Sequence, residues 1–207
     1  MNDSFLIECE DDLESIIGEP LEAVKQKLRK SLDDSMMEFI RRSPLIFIST
    51  VDDKGQVDIS PKGDSPGFVH LDENNNLLIP DRPGNKLMFG FRNILRNKNV
   101  GVIFVVPNMR ETLRIKGQAS LSNDPSLLQE LGARGKPALL CTSVAISDCF
   151  FHCGKAMIRS NMWKPDAWAE HNDSLMVRQI VKSLDADEEF EKVLESQVEQ
   201  HYRDELY

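Results

Sequence analysis

At 207 residues the chain is long enough for one sizeable domain with appendages, since domains commonly run to roughly 100–200 residues. Its 25 Lys and Arg against 34 Asp and Glu give a formal charge of −9, which argues against broad attraction to phosphate backbones or anionic lipid and leaves room for a small anion held by a few local cations. The opening MNDSFLIECEDDLESIIGEP has neither the basic nor the apolar region of a signal peptide, and no apolar run approaches the ~20 residues of a membrane span. The expectation is a cytoplasmic protein with no nucleic-acid and no membrane partner.

Residues 12–42 read as helix in two or three segments. In PLEAVKQKLRKSL, Pro20 suits a first helical position and Leu21, Val24, Leu28 and Leu32 make one stripe. DDSMMEFIRRS follows with its own caps, and the whole reads as a helical lid over a sheet. From Ser43 the pattern changes to short apolar runs punctuated by turn chemistry. PLIFISTV, VDIS, FVHL and LLI read as strands separated by DDKGQ, PKGDSPG and DENNN. Spacing this close leaves no room for crossover helices, so the sheet must be antiparallel. NKLMFGFRNILRN reads as a helix with residues 87, 88, 91, 94 and 95 on one face.

VGVIFVVP and ETLRIKGQASLS read as two longer strands, the second alternating Leu113, Ile115 and Gly117 against Arg114, Lys116 and Gln118. DPSLLQELGARGKP reads as a short helix capped by Asp124, with Gly135 near its stop. ALLCTSVAISDCFF is a further strand, merging into a helix that holds HCGKAMIRS. The stretch from about Asp173 to Tyr207 is charged and helical by period, with Leu194, Val198 and Tyr202 on a stripe. About six strands with flanking helices predict a mainly β fold, a closed or split antiparallel barrel. The organisation is an N-terminal helical extension over 1–42, a β domain over 43–165 and a C-terminal helical extension over 166–207.

Two basic clusters stand beside strand ends. In SPKGD, Lys62 lies between Pro61 and Gly63, where the backbone can approach a ligand closely. In PDRPGNK, Arg82 and Lys86 flank a turn, with Asn85 near a helix start whose free amides would favour an anion. Lys62, Asn85 and Lys86 could together hold one phosphate, or could be solvated loop cations. Lys155 and Arg159 are four apart, followed by Trp163, which reads equally as a ring cover or a core plug. In CFFHC, Cys149, His152 and Cys153 could share a helical face, but no second such pair completes a zinc set, so packing is the preferred reading. No GxxxxGK[ST], GxGxxG or HExxH occurs.

The order PDRPGNK, ETLRIKGQA and HCGKAMIRSNMW, within residues 44–165, resembles the pyridoxamine 5′-phosphate oxidase-like FMN-binding proteins. The resemblance implies a six-stranded, Greek-key split barrel and a homodimer with FMN in the grooves between subunits. It places Asp58, Ile59, Ser60, Pro61 and Lys62 along the flavin, Ile79 and Pro80 beside its ring, and Asn85 and Lys86 on its phosphate, with Thr112 coming from the other subunit. The oxidases carry Arg where this chain has Asn85, Gln where it has Thr112, and a late Arg-x-His where it has RSNMW; Arg82 is the substitute cation. Lys155, Arg159 and Trp163 complete the candidate cofactor-binding set, and no acid or base can be named. The implied function is an FMN-dependent oxidoreductase of a small organic substrate, with NAD(P)H as a candidate donor. Its rivals are a flavin carrier without turnover and a haem- or ligand-binding protein with His70 or His152 as axial ligand.

Overall fold

The computed structural model describes residues 5–170, 174–204 and 206–207, and of Ala23 the backbone alone. Residues 1–4 and Asp173, where the last helical stretch was expected to begin, lie outside them. Seven strands form one sheet: β1 (Leu45–Val51), β2 (Val57–Gly63), β3 (His70–Leu71), β4 (Leu77–Asp81), β5 (Asn99–Val105), β6 (Thr112–Ser122) and β7 (Leu140–His152). Their order is β2-β1-β5-β6-β7-β4-β3, and every neighbouring pair is antiparallel. The expected mainly β, antiparallel fold with flanking helices is what the chain adopts, and its hydrogen-bond ladder is an open sheet of seven strands where six were expected. FVHL shrinks to a two-residue strand because Phe68 and Val69 are buried in the core instead of paired.

The period-2 patterns explain the core. On β6, Leu113, Ile115, Gly117 and Ala119 are buried while Arg114, Lys116 and Gln118 are exposed. Ile46 and Ile48 of β1, Val102 and Phe104 of β5, Leu77 and Ile79 of β4 and Val144 of β7 join them in one cluster. At the bulge after Lys116 the β7 backbone comes so close to Gly117 that a Cβ would lie 2.3 Å from the Ala145 carbonyl oxygen, so only glycine fits.

Four strands separate β2 from β4 in the ladder, so a flat sheet would hold them roughly 24 Å apart at about 4.8 Å per strand. Yet Lys62 Nζ lies 2.5 Å from Asp81 Oδ1, and Arg82 Nε lies 2.7 Å from Asp64 Oδ2. The sheet therefore curls until β2 meets β4 through side chains. Because β3 pairs only the Leu77–Leu78 part of β4, the Pro80–Asp81 end keeps this seam.

The helices are shorter than the sequence periods predict. Helix α1 (Glu10–Ile17) buries nothing, and α2 spans only Glu22–Lys25, with Pro20 before its cap. Leu21, Val24 and Leu28 stay exposed, so the lid reduces to α3 (Asp34–Arg42), which buries Met36, Phe39 and Ile40 and is capped by Asp33. Helix α4 (Phe89–Arg96) crosses near β1, β2 and β6, held by Asn93 Nδ2 donating to Thr50 Oγ1 at 3.1 Å. Asp124 caps α5 (Pro125–Glu130) as expected, accepting from the Ser126 amide at 2.9 Å. After β7 come α6 (Lys155–Arg159), α7 (Leu175–Leu184) and α8 (Glu188–Asp204); α8 packs on α7 and buries no residue. Among the described residues no helix is long and apolar enough to cross a membrane.

Candidate functional site

A groove of about 990 Å³ lies along the seam, between β2, the end of β4 and α4. The edge position of β2 tolerates Pro61, whose missing amide would break a central ladder. It also lets polar residues alternate inward: Asp58, Ser60 and Lys62 are half-buried, while Ile59 is 64% exposed. Ser60 Oγ donates to Asp58 Oδ2 at 3.2 Å. Lys62 is fixed twice, by the Asp81 carboxylate and by the Phe91 ring, whose centroid lies 4.9 Å from its ammonium.

The opposite rim runs from Pro80 through Gly90. Here the structure corrects the expected helix over NKLMFGFRNILRN: α4 begins only at Phe89, so Lys86 is a loop residue three positions before it. The reason is local. Asn85 Oδ1 accepts from the Leu87 amide at 3.1 Å, a side-chain turn that competes with helical bonding, and Lys86 and Met88 adopt left-handed backbone at φ 60° and 58°. Left-handed backbone at non-glycine residues costs of order 1–3 kcal/mol each and clusters where a ligand or partner uses the conformation. Lys86 makes no ion pair with any described residue, and Leu87, Met88 and Phe89 are each about half exposed.

Arg82 is committed elsewhere. Its Nε meets Asp64 and its Nη1 donates to the Leu131 carbonyl at 2.9 Å, with both side chains of the ion pair largely buried. Burial raises the Asp64 pKa, but hydrogen bonds from Tyr207, the Ser65 amide and Arg82 outweigh it and hold the carboxyl below the usual range.

Of the expected site residues, Asp58, Ile59, Ser60, Pro61, Lys62, Pro80, Arg82, Asn85 and Lys86 line this groove. Ile79 does not: the alternation of β4 turns it into the core, fully buried. Thr112 starts β6 opposite His152, at the end of the β6–β7 ladder away from the Leu140 end that borders the groove. Lys155 and Arg159 stand exposed on α6 beyond that far end. Trp163 donates from Nε1 to the Met109 carbonyl at 2.7 Å, tying the chain after α6 to the loop before β6, so within one chain it acts as a plug. Neither His70 nor His152 borders the groove. Cys149 and His152 lie on β7, which removes the shared helical face; the Cys149 thiol instead contacts the Arg29 and Ser31 carbonyls. Asp64, Asp81, Phe91 and Tyr207 were missed. The signal that could have revealed counter-charges was a carboxylate inside each basic motif, Asp64 in SPKGD and Asp81 in PDRPGNK, although each pairs with the other motif's cation.

The curled antiparallel sheet thus carries, along its seam, a groove with charged side chains on both rims. Residues 32–153 match the sequence model of the pyridoxamine 5′-phosphate oxidase family, and the chain belongs to that family. No curated protein matches it. Among solved structures it is similar to HupZ of Group A Streptococcus, at 18% identity and TM-score 0.47 over 58% of this chain and 93% of that one. It is also similar to General Stress Protein 26 of Bacillus anthracis, at 15% identity and TM-score 0.43 over 56% and 88%. HutZ, the heme storage protein of Vibrio cholerae, aligns at 14% identity and TM-score 0.41 over 60% and 97%.

Proposed function

We propose that the seam groove binds FMN and that the chain is an FMN-dependent oxidoreductase of a small organic substrate, working as a homodimer. The observation that carries this reading is the meeting of Asp58–Lys62 with the Asn85–Lys86 loop in one groove of about 990 Å³, at the upper end of the roughly 300–1,000 Å³ of cofactor pockets. Family membership supports it, and the curled, side-chain-closed sheet fits a split barrel.

The residues present suit the cofactor. Lys86, unpaired among the described residues, is the cation for its phosphate, with Asn85 beside it, whereas Arg82 is held by Asp64 and serves the wall. Lys62, immobilised by Asp81 and Phe91, offers a positioned donor to a ring edge or a hydroxylated chain. Asp58 and Ser60 supply acceptors, and Pro61 and Pro80 provide apolar borders that exclude water. When bound, the flavin supplies the hydride chemistry at its ring, leaving binding, orientation and electrostatics to the protein. NAD(P)H is the candidate electron donor.

A second copy of the chain is the natural cover for the exposed apolar Leu87, Met88, Phe89, Phe47, Val57 and Ile59. In that assembly the exposed Lys155 and Arg159 of one subunit are the candidates to reach the other subunit's groove, whereas Thr112 is buried in its own chain and Trp163 is tied to the Met109 carbonyl. The test is the purified protein's chromophore. Denaturation should release FMN, and anaerobic NADPH should bleach the bound flavin. Recovery of FAD, or a Soret band from haem, would overturn the assignment.

A further inference from the structure

Tyr207 lies 143 positions from Asp64 in sequence, yet its hydroxyl donates to Asp64 Oδ1 at 2.7 Å. The receiving site is rigid. Asp64 is 4% exposed; its Oδ1 also accepts from the Ser65 amide at 2.7 Å, and its Oδ2 holds Arg82. Arg82 in turn grips the carbonyl of Leu131, which is fully buried.

From Leu131 the chain enters a tight turn closed by paired Ala133 and Lys136 main-chain hydrogen bonds, with Arg134 and Gly135 both left-handed at φ 51° and 77°. That turn presents two cations to the tyrosine. Arg134 Cζ lies 4.3 Å from the Tyr207 ring centroid, and Lys136 Nζ donates to the Tyr207 main-chain oxygen at 2.5 Å. Ring, hydroxyl and main chain are thus each met by a different partner. Helix α8, which precedes the segment, buries nothing, so these contacts fasten a stretch that would otherwise detach readily. Leu206 and Tyr207 both border the seam groove, and its volume of about 990 Å³ is the space left with them in place. They form a wall and do not fill the site.

We propose that Tyr207 is a latch that fastens residues 206–207 along the groove's rim, so that a bound ligand is released when the latch opens. The ligand part of this proposal rests on reading the groove as a flavin site. Tyr207→Phe keeps the ring over Arg134 and removes the hydroxyl that Asp64 accepts; Tyr207→Ala removes both.

Two measurements on the full chain test it. Trypsin acting after the exposed Arg203 reports detachment, because cleavage tracks local opening. Release of the segment that follows Arg203, followed by mass spectrometry on ligand-free protein, should quicken about tenfold in Tyr207→Phe, a lost hydrogen bond to a charged group, and further in Tyr207→Ala. FMN dissociation, followed by fluorescence recovery on dilution, should quicken about tenfold in Tyr207→Ala with little change in association. Equal cleavage of wild type and both variants would overturn the latch. Faster cleavage with unchanged FMN release would overturn its control of the groove. A wild-type protein that binds no FMN defeats the flavin reading and the control of release with it, while the cleavage comparison still decides the latch.

Discussion

The ammonium of Lys62 is shared between the carboxylate of Asp81, 2.5 Å away, and the ring of Phe91, 4.9 Å from its centre. The pair joins two strands that no hydrogen-bond ladder connects among the described residues, and both side chains are about four-fifths buried. Removing one partner leaves a partly buried charge uncompensated, so Asp81→Asn should cost roughly 2–3 kcal/mol. For a chain of this length that corresponds to a fall in Tm of about 4–12 °C, readable by calorimetry. A shift within about 1 °C would mean the seam is not held this way.

The two rim cations should separate in their effects. Lys86 is exposed and unpaired among the described residues, so Lys86→Ala should leave Tm nearly unchanged while weakening FMN about ten- to a hundredfold, with riboflavin affected far less. Arg82→Ala should do the reverse, chiefly lowering Tm, because Asp64 loses its buried partner. Fluorescence titrations of both flavins with each variant compare them. An equal loss of FMN and riboflavin in Lys86→Ala would show that Lys86 does not hold the phosphate.

The thiols should fall into two classes. Burial pushes the Cys141 thiol up to about 11, and burial together with the nearby Asp33 and Asp148 charges raises that of Cys149. Cys9 and Cys153 are exposed. A chromogenic disulfide reagent at pH 8 should therefore titrate two thiols rapidly in the native protein and the other two only on unfolding. Rapid reaction of all four would contradict the buried placement of Cys141 and Cys149.

Acid should release the Asp64 cluster late. Its folded pKa lies below the unfolded value of about 3.9, so its contribution is complete above that value and is lost as pH falls through the folded pKa. The stability gap between wild type and Asp64→Asn should stay level from pH 7 to about 5 and narrow below about 4. A gap that stays level below pH 4, or widens there, would mean that the folded pKa of this carboxyl is not lowered.

How legible the molecule was in its sequence depended on range. The alternation of Leu113, Ile115 and Gly117 against Arg114, Lys116 and Gln118 is a local pattern with one consistent burial, and β6 follows it. The Asp124 cap is equally local. By contrast, the stripe of Leu21, Val24 and Leu28 has helical period but little to bury against within the chain, and short helices draw their stability from packing, so only Glu22–Lys25 remains helical. At Asn85–Met88 a side-chain turn and two left-handed residues override the helical period. Most of the groove's β2 and loop residues were recognisable as a cluster of cations beside strand ends. Their counter-charges were not, because Lys62–Asp81, Arg82–Asp64 and Tyr207–Asp64 exist only once the sheet curls and α8 returns.

The flavin reading is tested most directly by titrating FMN into protein stripped of any bound chromophore and following the quenching of flavin fluorescence. The seam groove predicts saturable binding that approaches one FMN per 23.5 kDa chain, in a particle that light scattering finds to be a dimer. A linear response with no saturation, in protein that calorimetry shows to be folded, would contradict it.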